Sequence, residues 1–538
     1  MTQTDAQQKI AAGYATDSPA ITLGSVMVDG TADPTARVAL PLSMVNRHGL
    51  IAGATGTGKT KTIQLLVEQL SGNGVPVVVA DIKGDVSGLA APGQVNPKVT
   101  DRAARTGVEW EAQAFPVEFV SLGTGGIGVP VRATITDFGP ILLSKVLGLN
   151  ATQESTLGLI FYWADQQGLE LFDLKDLRAV ISHLTSDEGK DDLEGIGGVS
   201  KATAGVILRA LVTLESQGGD TFFGDPALDP ADLMRTRDGR GVVTAIELGD
   251  QASRPALFST FLMWILAELF QELPEKGDVD KPELVFVFDE AHLLFNGASK
   301  AFGEQVVQTV KLIRSKGVGV YFCSQQPTDI PSEVLSQLGA RVQHALRAFT
   351  PEDQAALSKT VKTYPKSDVY DIASALTSLG TGEALVTVLS ERGAPTPVAW
   401  TLMAPPRSLM NTIGEEAVTE QARASELFAK YGETVDPVSA YEKLEQKATA
   451  AEQGQVDAEE AARQADQARE ESREQARGGA GSAAGGAGGG DGQGGDDDEG
   501  FIAKSLSNPA VRSFMRSAAS AAGREITRSL FGTRRRRR

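Results

Sequence analysis

Eight consecutive residues, Gly53-Ala54-Thr55-Gly56-Thr57-Gly58-Lys59-Thr60, satisfy the pattern G-x-x-x-x-G-K-[ST] in full. Glycines at these positions let a backbone curl until several amides point at one spot, and amides at a helix start attract anions. The chemistry on offer is a cradle for a nucleotide's phosphate chain. Gly56, Thr57 and Gly58 offer backbone donors, Lys59 reaches the β- and γ-phosphates, and Thr60 places its hydroxyl on Mg2+. Gly53, Ala54 and Thr55 complete the loop, and the cofactors expected are ATP and Mg2+.

A pair of acids, Asp289-Glu290, follows the apolar run Leu284 to Phe288, the pattern of a Walker B strand. At that strand end Asp289 is expected to hold Mg2+ through water, and Glu290 to orient and deprotonate the attacking water. A further apolar run, Gly317 to Ser324, ends in Gln325-Gln326-Pro327. A polar residue at the tip of a strand next to Walker B touches both the γ-phosphate and the catalytic water, so Gln325 is a candidate sensor. The alternative is a turn glutamine before a proline. His292 is read as structural.

These residues need elements that bring them together. Leu50 to Ala52 is a short apolar strand entering the glycine loop, and Lys61 to Leu70 carries Ile63, Leu66, Val67 and Leu70 on one helical face. Val75 to Ala80 is a continuous apolar run, as in a parallel-sheet strand buried on both faces, and delivers Asp81 to the sheet's carboxyl edge. Lys59 and Asp289 are 230 residues apart, more than two βα units need. Helical spacing over 138–149, 153–168, 173–184 and 201–214 predicts a helical insertion at about 136–235. Strand character returns over 241–248, a buried helix is expected over 255–273, and an amphipathic helix over 302–315.

The chain has 538 residues, one cysteine and a formal charge of −18. A disulfide framework is excluded, and Met1 to Ser18 lacks the basic and apolar regions of a secretory signal, so a cytoplasmic setting is expected. The most apolar stretch, 256–273, is interrupted by Glu268 and Glu272, which argues against a membrane span. Residues 441–500 sum to −9 and 501–538 to +9, leaving the deficit on residues 1–440. Any DNA contact in that body must be local.

Together the glycine loop, Asp81-Ile82-Lys83-Gly84-Asp85, Asp289-Glu290-Ala291-His292, Arg314-Ser315-Lys316-Gly317 and Ser324-Gln325-Gln326-Pro327 resemble the HerA/FtsK superfamily, and more closely the bacterial HerA-like ATPases of undefined function. The similarity covers about residues 21–403, including the closing hairpin of 382–389 and 397–402. The resemblance implies an α/β, RecA-like P-loop fold with a central, mainly parallel sheet, in a homo-oligomeric ring, a hexamer, with ATP between neighbouring subunits. It also implies that Arg314 acts in trans on the adjacent subunit's nucleotide, with Arg341 and Arg347 in reserve. The alternative is an arginine that favours a helix end. Only about fifty residues precede the glycine loop, too few for the β-barrel with which HerA docks a nuclease, so no nuclease partner is implied.

The expected organisation is a β-rich lead-in at 1–45, the ATPase domain at 46–405, a polar helical segment at 406–477, a Gly-rich acidic linker at 478–500, and a basic amphipathic helix with an arginine end at 501–538. That last helix suits nucleic acid, an anionic membrane surface or an acidic patch on the ring itself. The function expected is a ring motor that moves nucleic acid, a DNA translocase or helicase. The alternative is an ATPase that remodels or translocates protein, or a nucleotide-gated assembly switch. The exposed-looking Lys359, Lys362 and Lys366 suit a pore or a solvated face.

Overall fold

Short runs of Val, Ile, Leu and Phe bounded by turn residues dominate the interior, because strands covered on both faces need no polar alternation. In the computed structural model, which describes residues 2–193, 197–248, 255–295 and 300–479, these runs join one twelve-stranded sheet. Its strands are β1 (Ala20–Val28), β2 (Thr31–Pro41), β3 (Gly49–Ala52), β4 (Val77–Asp81), β5 (Val117–Leu122), β6 (Val129–Val131), β7 (Val243–Glu247), β8 (Leu284–Phe288), β9 (Val318–Ser324), β10 (Ala340–Gln343), β11 (Glu383–Thr387) and β12 (Ala399–Met403). Their spatial order is β2-β1-β12-β11-β10-β3-β9-β8-β4-β7-β5-β6. From β10 to β6 all pairings are parallel; from β10 to β2 all are antiparallel.

Register aligns the carboxyl ends: Ala52 pairs with Ser324 and Gln343, Phe288 with Ala80 and Phe322, and Asp81 with Glu247. The residues just past each of these strands therefore gather at one edge, the edge where open parallel sheets bind ligands. A buried aromatic row, Phe286, Phe288 and Phe322, with ring centroids 5.8 and 5.7 Å apart, fills the layer beneath the acid-bearing strand end. Each such ring contributes roughly 1.5–3 kcal/mol by burial.

The helices include α1 (Gln3–Ala11), α2 (Lys59–Gly72), α3 (Pro97–Thr106), α4 (Ile135–Val146), α5 (Ala151–Gln166), α6 (Leu174–Thr185), α7 (Lys201–Leu214), α8 (Pro255–Glu272), α9 (Lys300–Ile313), α10 (Pro351–Val361) and α11 (Ala440–Gly479), with further short helices and turns between them. Helix α7 runs over the span its spacing predicts; α4 begins earlier, capped by Thr134, and breaks at Gly139, where φ is 73°. No helix among the described residues is long and apolar enough to cross a membrane.

Several elements differ from the sequence expectation. The lead-in is not purely β: α1 precedes it, and Gln7 of that helix donates to the Thr31 carbonyl at 2.8 Å. The hairpin of β1 and β2 is an extension of the main sheet through β12. Strands β5 and β6 and helix α3 add to the region ahead of the helical insertion, and Pro130 in β6 fits there because that strand is the sheet's edge. The segment from 406 is not one helix. Residues 405–413 run as an irregular strap whose Arg407 and Ser408 amides donate to the buried Glu68 carboxylate of α2, and short helices at Glu415–Ala424 and Glu426–Tyr431 precede α11. The linker from 480 and the basic helix and arginine tail at 501–538 lie outside the described residues.

Candidate functional site

The loop Gly53–Gly58 leaves β3 and is moored on both sides. The Gly53 amide donates to the Ser324 carbonyl at the end of β9, and the Ala54 amide to the Ala345 carbonyl beyond β10, at 3.2 and 2.9 Å. Gly56 and Gly58 have φ of 79° and 117°, the left-handed region open to glycine, which turns the chain so that α2 starts at Lys59. Within the loop the Thr57 hydroxyl donates to the Ala54 carbonyl at 2.7 Å, and Lys59 Nζ lies 3.4 Å from the same oxygen. From behind, the Gly382 amide donates to the Thr57 carbonyl at 2.8 Å, and the guanidinium of Arg102 donates to the carbonyls of Thr381 and Gly382.

Asp289 and Glu290 stand at the end of β8, two strands from the loop. Both are buried. Burial pushes the Asp289 carboxyl above the usual range, countered by a hydrogen bond from the Cys323 thiol. The Glu290 amide donates to Asp289 Oδ1 at 2.9 Å, and Glu290 itself has φ of 47°. Its Oε1 meets Lys83 Nζ at 2.6 Å; Oε2 lies 3.4 Å from His292 Nδ1 with no hydrogen-bond partner. Burial works against its charged form, yet the Lys83 ammonium, with Lys59 and His292, holds its carboxyl below the ordinary value. His292, expected to be structural, thus faces the carboxylate directly.

More acid lies on the same edge. Asp81 is fully buried and pushed up to about 6, chiefly by burial, while Glu247, its neighbour on β7, is pushed up to about 8 by burial and by Asp81. Sequence reading missed Glu247 and the role of Lys83's turn, because nothing local shows that β7 and β8 flank β4. It also missed His344, which sits beyond β10 against α2.

Gln325 is exposed at the tip of β9, between the strand that feeds the glycine loop and the strand that feeds Asp289. Arg314 is at the other edge: it follows α9 and precedes β9, whose seven residues separate it from the site by roughly 20 Å. There Arg47, Lys311, Arg314 and Arg341 line a cavity of about 480 Å3. The two reserve arginines divide, Arg341 beside Arg314 and Arg347 exposed on the glycine-loop edge.

Among the described residues no group of three or more His, Cys, Asp or Glu could hold a metal alone. The donors that sequence assigns to Mg2+, the Thr60 hydroxyl and the Asp289 carboxylate, are hard oxygens. They suit an ion that takes one or two protein ligands and completes its shell with phosphate and water. The residues therefore fit the ion together with a nucleotide.

A glycine loop opening a helix on a parallel sheet, with a buried acid pair two strands away, defines a P-loop nucleoside triphosphatase. The chain belongs to the HerA_C family, helicase HerA-like C-terminal, whose model matches residues 27–538, and is thus a HerA-like P-loop ATPase. It is 21% identical over 384 residues to the DNA double-strand break repair helicase HerA of Sulfolobus acidocaldarius, across 69% of this chain and 68% of that one. It is 22% identical over 374 residues to the protein of the same name from Saccharolobus solfataricus, across 68% and 66%. The chain spans about two thirds of the length of the curated relatives it matches. Among solved structures, the plasmid coupling protein TrwB in complex with the non-hydrolysable GTP analogue GDPNP is similar at 14% identity, over 75% of this chain and 94% of that chain, with a TM-score of 0.49.

Proposed function

We propose that this ATPase is a motor that works as a homo-oligomeric ring, a hexamer, on DNA in the cytoplasm, hydrolysing ATP where neighbouring copies meet. The observation that carries the reading is the division of the sheet into two unlike edges. One edge holds the glycine loop, Asp289, Glu290 and Gln325; the other holds exposed Arg314 within a basic cavity, roughly 20 Å away. An arginine so placed serves the nucleotide of another copy and not its own. DNA as the cargo is supported by the names of the curated relatives, DNA double-strand break repair helicases.

In this reading the amides of Gly56, Thr57 and Gly58 seat the phosphates, with Gly53, Ala54 and Thr55 shaping the loop, and Lys59 neutralises the β- and γ-oxygens. Thr60 and Asp289 would hold Mg2+, which would offset the negative charge of the phosphates. Glu290 orients the water and takes its proton, Gln325 senses the γ-phosphate, and Arg314 of a neighbour offsets charge on the transferring group. Residues 46–405 are the motor, 1–45 its lead-in, and 406–477 the segment that comes after it.

The charge of −18 favours a second reading, in which the cargo is protein. The test is the ATPase rate with and without single- and double-stranded DNA across a salt series. DNA stimulation that fades steeply with salt supports the DNA motor. A rate indifferent to DNA supports the protein-remodelling reading.

A further inference from the structure

Lys83 lies two residues past the end of β4, in a turn shaped by Asp81. The Asp81 carboxylate accepts from the Lys83 amide at 3.1 Å and from the Val86 amide at 2.7 Å. Because β4 and β8 are neighbours, the turn carries the Lys83 side chain to the adjacent strand end, where Nζ meets Oε1 of Glu290 at 2.6 Å. Glu290 is held from its own side as well, by a left-handed backbone, φ 47°, that few non-glycine residues adopt. The two oxygens of this carboxylate are unequal. Oε1 is engaged by the ammonium, while Oε2 is buried, lies 3.4 Å from His292 Nδ1 and has no hydrogen-bond partner.

A carboxylate clamped at one oxygen presents the other in a fixed direction, and direction decides whether a water lies in line with a phosphoryl group. We propose that Lys83 is a positioning residue for hydrolysis, whose ammonium clamps Oε1 of Glu290 so that Oε2 receives the proton of the attacking water. The water oxygen bonds to the γ-phosphorus, its proton goes to Oε2, and the bridging oxygen leaves on ADP with the electrons of the broken bond. The inference rests on the reading of Glu290 as the residue that orients and deprotonates the water. Lys83 itself touches no reacting atom. Its exposed flank, with the side chain about half accessible, leaves room for a longer cation in the same place.

The test is steady-state and single-turnover ATP hydrolysis by the full chain, with and without DNA, for wild type, Lys83→Met, Lys83→Gln, Lys83→Arg, Glu290→Gln and the double variant Lys83→Met/Glu290→Gln. Lys83→Met is expected to lower kcat about 10- to 100-fold, the scale of a misplaced reacting group, while KM and nucleotide affinity stay within about twofold. Lys83→Arg restores much of the loss, and Lys83→Met costs nothing further in the Glu290→Gln background, because Lys83 acts only through that carboxylate. A Lys83→Met kcat within about twofold of wild type, or an equal further loss in the Glu290→Gln background, overturns the clamp. If Lys83→Met does not fold, Lys83→Arg and Lys83→Gln carry the comparison, and equal kcat in those two overturns it equally. A fully active Glu290→Gln removes the reading beneath the proposal; an inactive Glu290→Gln beside an unimpaired Lys83→Met removes the clamp alone.

Discussion

The hydroxyl of Thr62 lies 2.8 Å from Nε2 of His344, joining the helix behind the glycine loop to the end of β10. Nδ1 of the same ring lies 2.8 Å from the Glu383 carbonyl, which can only accept, so Nδ1 carries the proton and Nε2 accepts from Thr62. The ring is neutral. Burial pushes its pKa down to about 4, and the charge of Lys59 works in the same direction. A neutral imidazole lets Lys59 keep the only positive charge of that pair.

This makes stability pH-dependent in a defined direction. An unfolded chain protonates His344 near the ordinary 6.5, whereas the folded protein refuses the proton down to about 4. The stabilisation is therefore complete above pH 6.5 and is lost progressively as the pH falls from there through about 4, at up to roughly 1.4 kcal/mol per pH unit. Urea unfolding of wild type and His344→Asn between pH 6.5 and 4.5 checks it. The variant should show the shallower dependence on pH; parallel curves would contradict the assignment. His48, pushed down to about 4 by burial, adds a pH dependence of the same direction in both proteins.

Substitutions at Lys59 and Glu290 are expected to separate binding from chemistry. Lys59→Ala removes the ammonium expected on the β- and γ-phosphates, so nucleotide affinity should fall by tenfold or more, the scale of a lost charge-assisted contact at about 1.5–3 kcal/mol. Glu290→Gln keeps the shape and loses the carboxylate proposed as the base, so affinity should persist while turnover falls by about 100-fold or more. Titration with a fluorescent ATP analogue alongside phosphate release measures both. Equal loss of affinity in the two variants would contradict these roles.

Gly58 and Gly56 should not tolerate a methyl group equally. Both have positive φ, but a Cβ on Gly56 meets nothing within 4 Å, whereas one on Gly58 falls 3.2 Å from the Cα and N of Gly382. That neighbour is the residue whose amide braces Thr57. Gly56→Ala is expected to cost only the backbone term of about 1–2 kcal/mol, and Gly58→Ala that term plus displacement of the brace. Melting temperature and nucleotide affinity should both fall further for Gly58→Ala. An equal fall in the two variants would show that Gly382 yields freely.

Legibility in the sequence was set by whether a signal is local. The glycine loop, the Leu284–Phe288 strand and the turn at Gln325 are contiguous signals, and the structure brings them to one edge. The closing hairpin is expected from the family resemblance, and it pairs as β11 with β12. The hidden contacts depend on strand order: Lys83 meets Glu290 only because β4 lies beside β8, and Glu247 joins the acids only because β7 lies beside β4. The reading of His292 as structural misses its contact with Glu290, because a separation of two positions in sequence does not tell whether a ring faces that acid. The break of the 406–477 segment was obscured by its Ala- and Glu-rich composition, although Pro437 lies just ahead of α11.

The placement of Arg314 leads to the strictest prediction. It stands on the amino edge of the sheet, and the length of β9 puts it roughly 20 Å from its own chain's glycine loop, farther than an arginine side chain reaches. If it acts, it acts on the nucleotide of a neighbour. Arg314→Ala subunits alone should form a ring in which every contact lacks the arginine, and Glu290→Gln subunits alone a ring in which every contact lacks the base. Each pure ring is expected to be inactive. Mixed, they create contacts at which an Arg314→Ala subunit supplies an intact Glu290 and its neighbour supplies an intact Arg314, so activity should reappear and peak at intermediate ratios. ATPase measured across mixing ratios, after exchange of subunits is verified by labelled chains, reads this directly. No recovery at any ratio, with exchange demonstrated, would show that Arg314 does not act in trans and would return it to an arginine at a helix end. Recovery with Arg314→Ala but not with Arg341→Ala would also settle which arginine of the basic cavity reaches across.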